Sequence, residues 1–145
     1  MNIFTGLNIN ASGLALERLK LDTISTNIAN ANTHQTADSE AYRRKTVDFS
    51  ESLKQFQQGN ADSLPTRQMS FGVKINGIRQ DNDVIRSYDP TNPNADENGY
   101  VEQSNVNMAD EMVKMIEAVR TYEANASSLE ANKLIFKKAL EISKD

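Results

Sequence analysis

Few residues in this chain are of a type and spacing that could do chemistry. The best candidate is "NADENGYVEQSN" (94–105), in which Asn94, Asp96 and Asn98 stand at positions one, three and five and Gly99 at six. A calcium loop uses that spacing, but it opens on an aspartate and closes on a bidentate glutamate at position twelve. Here those places hold Asn94 and Asn105, so two strong anchors are lost and the segment reads as an acidic turn. His34 is the single histidine and there is no cysteine, which excludes a zinc site of ordinary composition. "RRK" (43–45) has Tyr42 beside it and no further aromatic. It reads as a solvated strand edge or one side of an intersubunit ion pair rather than a phosphate patch. No glycine-rich phosphate loop, nucleophile elbow or metal-binding helix motif occurs. The expectation is a non-enzyme with no catalytic residue, no metal and no cofactor.

The bulk numbers narrow the class further. A length of 145 residues fits one domain or two small ones. Apolar residues make up 38% and mean hydropathy is −0.60, polar for a chain that must bury a core alone. The net charge of −4, with no basic arm at either end, argues against a nucleic-acid binder. The opening "MNIFTGLNINASGL" has neither a basic start nor a continuous apolar run, so no cleavable signal peptide is expected. No run approaches the eighteen apolar residues of a membrane span. Absence of cysteine excludes disulfides.

The elements follow from the breakers. All three prolines (Pro65, Pro90, Pro93) lie in the middle, and neither Gly nor Pro follows Gly99. Residues 107–143 are therefore predicted to form one helix of roughly 55 Å. Asn107 is its N-cap, Asp110 and Glu111 occupy its first turn, and Lys137, Lys138 and Lys144 complement its dipole at the far end. Along it Met108, Met112, Met115, Val119, Tyr122, Ala126, Leu129, Lys133, Phe136 and Leu140 recur at steps of four and three, a narrow seam for another helix.

Residues 5–30 predict a second helix, apolar on two sides. Leu7, Leu14, Leu21 and Ile28 are spaced by seven, flanked by Ala11 and Ile24, while Ile9, Leu16 and Leu19 fall opposite. An ordinary surface helix has one apolar stripe; two imply burial from two directions. Between the helices, 43–49, 70–78 and 83–88 carry short strand patterns, 89–99 is a turn-rich loop, and 54–68 is expected to be flexible and solvated. The predicted fold class is mainly α with a small β-rich insert of low stability. The divisions are 1–35 (helix and exit), 36–104 (extended loop and β-rich region) and 105–145 (second helix).

The two ends carry a resemblance. "ASGL" (11–14) with "STNIANANT" (25–33) resembles the N-terminal signature of bacterial flagellar axial proteins, the rod and hook family. "NVNMADEMVKMIEAVRTYEAN" (105–125), running on to "KALEI" (138–142), resembles their C-terminal signature. The length and the middle segments "AYRRKTVDF", "GVKINGI" and "YDPTNPNADENGYV" are similar to proximal-rod members, with Glu40 and Ala41 departing where Gly or Pro is expected.

The resemblance implies terminal helices packed as an α-helical coiled coil. It also implies a structural subunit that polymerises helically into a hollow, torque-transmitting shaft. Implied partners are copies of itself, other rod proteins, the MS-ring junction and surrounding ring proteins, and the flagellar type III export apparatus. The implied location is the basal-body rod crossing the periplasm, reached by export without a cleaved signal, with no nucleic acid and no membrane insertion. The alternative is a soluble coiled-coil module such as an export chaperone or regulator, which would be a stable dimer in isolation.

On this reading the assembly interface comprises Leu7, Leu14, Leu16, Leu19, Leu21 and Ile28 of the first helix. From the second it takes Met112, Met115, Val119, Tyr122, Asn125, Leu129, Phe136 and Leu140. Asn27, Asn30 and Asn32 of "NIANANT" complete it. Their amides both donate and accept, can take the left-handed conformation at a helix exit, and would bond another subunit's backbone where the alanines allow close approach. The competing reading is a cap and turn within the chain.

Overall fold

The computed structural model describes residues 3–36, 38–56 and 67–142. Helix α1 runs Ile3–Ala29 and helix α2 Met108–Ile142; between them come β1 (Lys45–Phe56), β2 (Arg67–Gln80), β3 (Ile85–Tyr88) and β4 (Tyr100–Gln103). The strands form two two-stranded sheets, β1–β2 and β3–β4. This is the expected mainly α chain with a small β insert. Of the segment expected to be solvated (54–68), residues 57–66 lie outside the described residues; the remainder belongs to β1 and β2.

Helix α2 starts as its sequence requires. The Asn107 side-chain oxygen accepts from the amide of Ala109 at 3.0 Å, and its carbonyl accepts from Glu111 at 3.0 Å, satisfying donors that the first turn leaves unpaired. Among the described residues the turn that ends at Ile142 holds no basic residue; Lys138, just before it, pairs with Glu141 at 2.8 Å, and Lys144 lies outside the described residues. Helix α1 ends differently from the left-handed exit anticipated for its asparagines. Among the described residues no non-glycine residue has positive φ. Short-range bonds close the exit instead, from Asn30 N to the Thr26 and Asn27 carbonyls, Ala31 N to Ile28 O and Thr33 N to Asn30 O. Those bonds satisfy the terminal carbonyls without a strained residue.

The chain divides into two compact units. One holds residues 1–18, 49–76 and 120–145. Its two helical segments run antiparallel through small and polar side chains. Gly6 lies under Asn132, Gly13 under Asn125, and Asn10 Nδ2 donates to Ser128 Oγ at 3.0 Å. The rings of Phe4 and Phe136 meet at 5.8 Å between centroids. Strand β2 rests on α1 at Gly72, whose φ of 96° suits only glycine and whose missing Cβ makes room for Ser12. Ser12 Oγ donates to the Ile9 carbonyl at 2.7 Å and accepts from Val73 N at 3.1 Å.

The other unit holds 19–48 and 77–119. Strands β3 and β4 pair antiparallel, Ile85 with Gln103 through Tyr88 with Tyr100. The expected strand at 83–88 is present; its partner, β4, falls inside the stretch that has calcium-loop spacing. The Asp96 carboxylate is committed to that turn, accepting from Asn98 N at 2.9 Å and Tyr100 N at 2.8 Å. Gly99 takes φ +80° beneath the Tyr88 ring. Arg43 ties the hairpin down, bonding Glu102 at 2.9 Å and the Asp83 carbonyl at 3.0 Å.

Among the described residues, the buried apolar side chains are Leu16, Ile24, Ala31, Ala41, Val101 and Ala118. Half of these are alanine, so little apolar area leaves water on folding.

Three glycines give a first prediction. Gly72→Ala places a Cβ against Ser12 in a backbone region closed to alanine, and should cost about 2 kcal/mol or more in chemical denaturation. Gly6→Ala meets Asn132 only at ordinary contact, 3.6 Å, and should be neutral or stabilising by up to about 1 kcal/mol through helix propensity. At Gly13 the same change brings the Cβ to 2.9 Å from Asn125 and should forfeit that gain.

Candidate functional site

Among the described residues the most constrained polar group is Asn27, 1% exposed. It sits in the last turns of α1, and all four hydrogen-bonding positions of its amide are filled within the chain. Nδ2 donates to the Lys45 carbonyl and to Glu111 Oε2, each at 2.8 Å. Oδ1 accepts from Tyr42 OH and from Lys45 N, each at 2.9 Å. One side chain thereby fastens the helix exit to the start of β1 and to the first turns of α2. No donor or acceptor of the Asn27 side chain is left for a neighbouring molecule.

Glu111 is equally enclosed at 1% exposure. Its second oxygen takes the Lys114 ammonium at 2.7 Å, one turn along α2. A carboxylate placed this deep needs both partners, because an unpaired buried charge is strongly destabilising. The effect reaches Tyr42, whose pKa is raised above its ordinary value, first by burial and second by the charge of Glu111. The adjacent "RRK" segment is occupied inside the chain. Arg43 binds Glu102, Arg44 binds Asp81 at 2.8 Å, and Arg44 N donates to Asn105 Oδ1 at 2.6 Å. Both guanidiniums thus have intrachain carboxylate partners.

The second feature is the face that α2 turns to solvent. In the unit that contains its start, the helix buries Glu111 and Ala118 and half-buries Lys114 and Met115. The apolar residues next to them point away, with Met112 55%, Val113 66%, Ile116 63% and Val119 39% exposed. The buried seam is therefore displaced from the heptad of Met108, Met112, Met115 and Val119. Met115 belongs to both. In the unit that contains its end, Asn125, Leu129, Asn132 and Phe136 are half-buried, whereas Leu134, Ile135, Leu140 and Ile142 are exposed.

The other residues assigned to the interface divide similarly. Leu16 is buried, and Leu7, Leu14, Leu19, Leu21 and Ile28 are half-buried. Tyr122 is exposed. Asn30 is half-buried and caps its own helix, Nδ2 donating to the Thr26 carbonyl at 2.9 Å; Asn32 is exposed. Sequence reasoning missed the joint roles of Tyr42, Lys45, Glu111 and Lys114. The available signal was a glutamate on the same side of the helix as Met115, four residues ahead of it, with Lys114 one turn on.

Comparison with known proteins agrees at both ends of the chain. Residues 7–34 match the family model described as flagella basal body rod protein, and 97–142 the one described as flagellar basal body rod FlgEFG protein C-terminal. The flagellar basal-body rod protein FlgC of Borreliella burgdorferi is 37% identical, with 98% of each chain covered. That of Bacillus subtilis is 37% identical over 99% of this chain and 100% of its own. That of Aquifex aeolicus is 35% identical over 97% of each. The chain belongs to the FlgC family. As a FlgC-family member it is a structural protein of the flagellar basal-body rod, as the resemblance at its ends implied. The two matched segments of this FlgC relative contain Asn27 and Glu111 respectively, so the buried hydrogen bond joins one family-defining stretch to the other.

Tyr42 offers a test of the cluster. Its folded pKa is raised, so between the unfolded value of about 10 and the folded one the native state keeps a proton that the unfolded state has lost. The tyrosine's contribution is complete below about pH 10 and disappears as pH climbs through the folded value. In a phenolate absorbance titration Tyr42→Phe should remove a late-ionising component. Glu111→Gln should move that component to lower pH without abolishing it, since burial is the larger cause.

Proposed function

We propose that this rod protein polymerises helically, by burying in its neighbours the apolar helix faces that a single chain leaves in water. The observation that carries the reading is the exposure of Met112, Val113, Ile116 and Val119 on α2 in one unit, and of Leu134, Ile135, Leu140 and Ile142 in the other. Exposed apolar residues grouped on one side of a helix, as Met112, Val113, Ile116 and Val119 are, mark an interaction site. Burial of apolar area is worth about 25 cal/mol per Å², so a contact repeated along a polymer makes the polymer hard to reverse. A heterologous contact that does not close yields a filament, and a filament whose subunits each grip several others resists twist, as a drive shaft must.

In this reading the terminal helices complete an α-helical coiled coil in the polymer. Met112, Val119, Tyr122 and Leu140 present the interface on α2, and Asn32 presents an amide beyond the α1 exit. Leu7, Leu14, Leu19, Leu21, Ile28, Met115, Asn125, Leu129 and Phe136 have one side covered within the chain and one side for neighbours. Leu16, Asn27 and Asn30 shape the interface from inside the chain. The subunit leaves the cell through the flagellar type III apparatus, a route favoured by a small core and by the absence of disulfides. It meets other rod proteins, the MS-ring junction and the surrounding rings in the periplasm. The full-length relatives are rod proteins, which favours this reading over an export chaperone.

Met112→Asp and Leu140→Asp test it. Both positions are exposed, so the soluble variants should keep their helical circular dichroism. Neither should appear in purified basal bodies, and swimming in soft agar should be lost. Wild-type motility with both variants incorporated would refute the proposal. Met115→Asp and Leu129→Asp should block incorporation as well, and should also lower the stability of the soluble chain, because each is half-buried.

A further inference from the structure

The displacement between the seam that α2 buries and the seam that its hydrophobic pattern offers calls for a cause. Buried are Glu111 and Ala118, with Met115 half-covered; the pattern would bury Met112, Met115 and Val119. At 100° per residue the centres of these two sets differ by roughly 70° about the helix axis. On hydrophobic grounds alone the helix should turn by that amount. Two large apolar side chains would leave water, and a carboxylate would return to it.

What opposes the turn is visible at Glu111. One oxygen accepts from Asn27 at 2.8 Å and the other from Lys114 at 2.7 Å. Asn27 is itself held by Lys45 and Tyr42. Rotation would break the bond between Asn27 and Glu111 and leave the Asn27 amide with a donor unpaired in a place that water does not reach, a costly arrangement.

We infer that Glu111 is a rotation lock: its buried bond to Asn27 sets the angle of α2 so that Met112, Ile116 and Val119 face outward instead of closing on the chain's own core. The inference rests on the reading of that face as the polymer contact, and it adds the device that keeps the face available. A polar group retained in a helix seam at a cost in stability, to choose one arrangement among several, is an established use of such groups.

The chain has no cysteine, so a single introduced thiol reports rotation directly in the soluble protein. Met112→Cys and Ala118→Cys are made in three backgrounds, wild type, Glu111→Gln and Glu111→Ala, and the rate of maleimide labelling is measured. In the wild-type background the thiol at position 112 should label at least about tenfold faster than the thiol at position 118, which is protected. Glu111→Gln keeps an acceptor for Asn27 and should preserve that ratio. Glu111→Ala removes the acceptor without adding apolar bulk at the buried position and should slow labelling at position 112 by about tenfold, as the helix turns its apolar side inward. Unchanged labelling at position 112 in a Glu111→Ala protein of normal helix content overturns the inference. If Glu111→Ala fails to fold, Glu111→Ser replaces it and is judged by the same rates. Loss of fold in both overturns the inference too, since no alternative rotation would then exist. All of these measurements are made on unpolymerised chain, so their outcome is separate from whether Met112→Asp enters basal bodies.

Discussion

The bond between the Asn27 amide and the Glu111 carboxylate is the constraint around which the structure is arranged. It is the meeting point of a helix exit, a strand start and a helix start, and the amide and both carboxylate oxygens there are fully engaged. An interior with so few large apolar residues draws little definition from packing. Directional polar bonds supply it instead, because an amide with four partners tolerates only one placement of each.

The same substitution of polar definition for apolar bulk recurs in the other compact unit. There the helical segments meet through Gly6, Gly13, Asn10, Ser128, Asn125 and Asn132. Glycine removes the side chain on one helix and asparagine fills the gap from the other, so backbone approach is close and the seam stays polar in character. Such seams specify alignment with modest stability. In that unit Leu134, Ile135, Leu140 and Ile142 of α2 remain exposed.

Much of this was legible in the residues. The lack of breakers after Gly99 and the Asn107 cap define α2, and the strand patterns at 43–49, 70–78 and 83–88 fall largely within β1, β2 and β3. Strand β4 was hidden because "GYVEQ" follows a run of turn residues and the strand is only four residues long. The rotation of α2 was hidden for a different reason. Periodicity reports where apolar residues lie, and a helix normally turns that side inward; here a single buried carboxylate outweighs the pattern, and pattern alone gives no measure of that contest. The asparagines illustrate the same limit. Their number at the helix exit signals amide chemistry, but their roles differ: Asn27 is saturated inside, Asn30 caps its own helix, and Asn32 is exposed.

The β3–β4 hairpin has a consequence for the order of events after unfolding. Its strands are close in sequence, its turn is braced by the carboxylates of Asp89 and Asp96, and Tyr88 and Tyr100 stack edge to face across it. Pairings of such short separation are regained on the order of microseconds, whereas the junction of Asn27 with Glu111 must close a separation of 84 residues. An unfolded chain would therefore regain this small ribbon before it regains that junction.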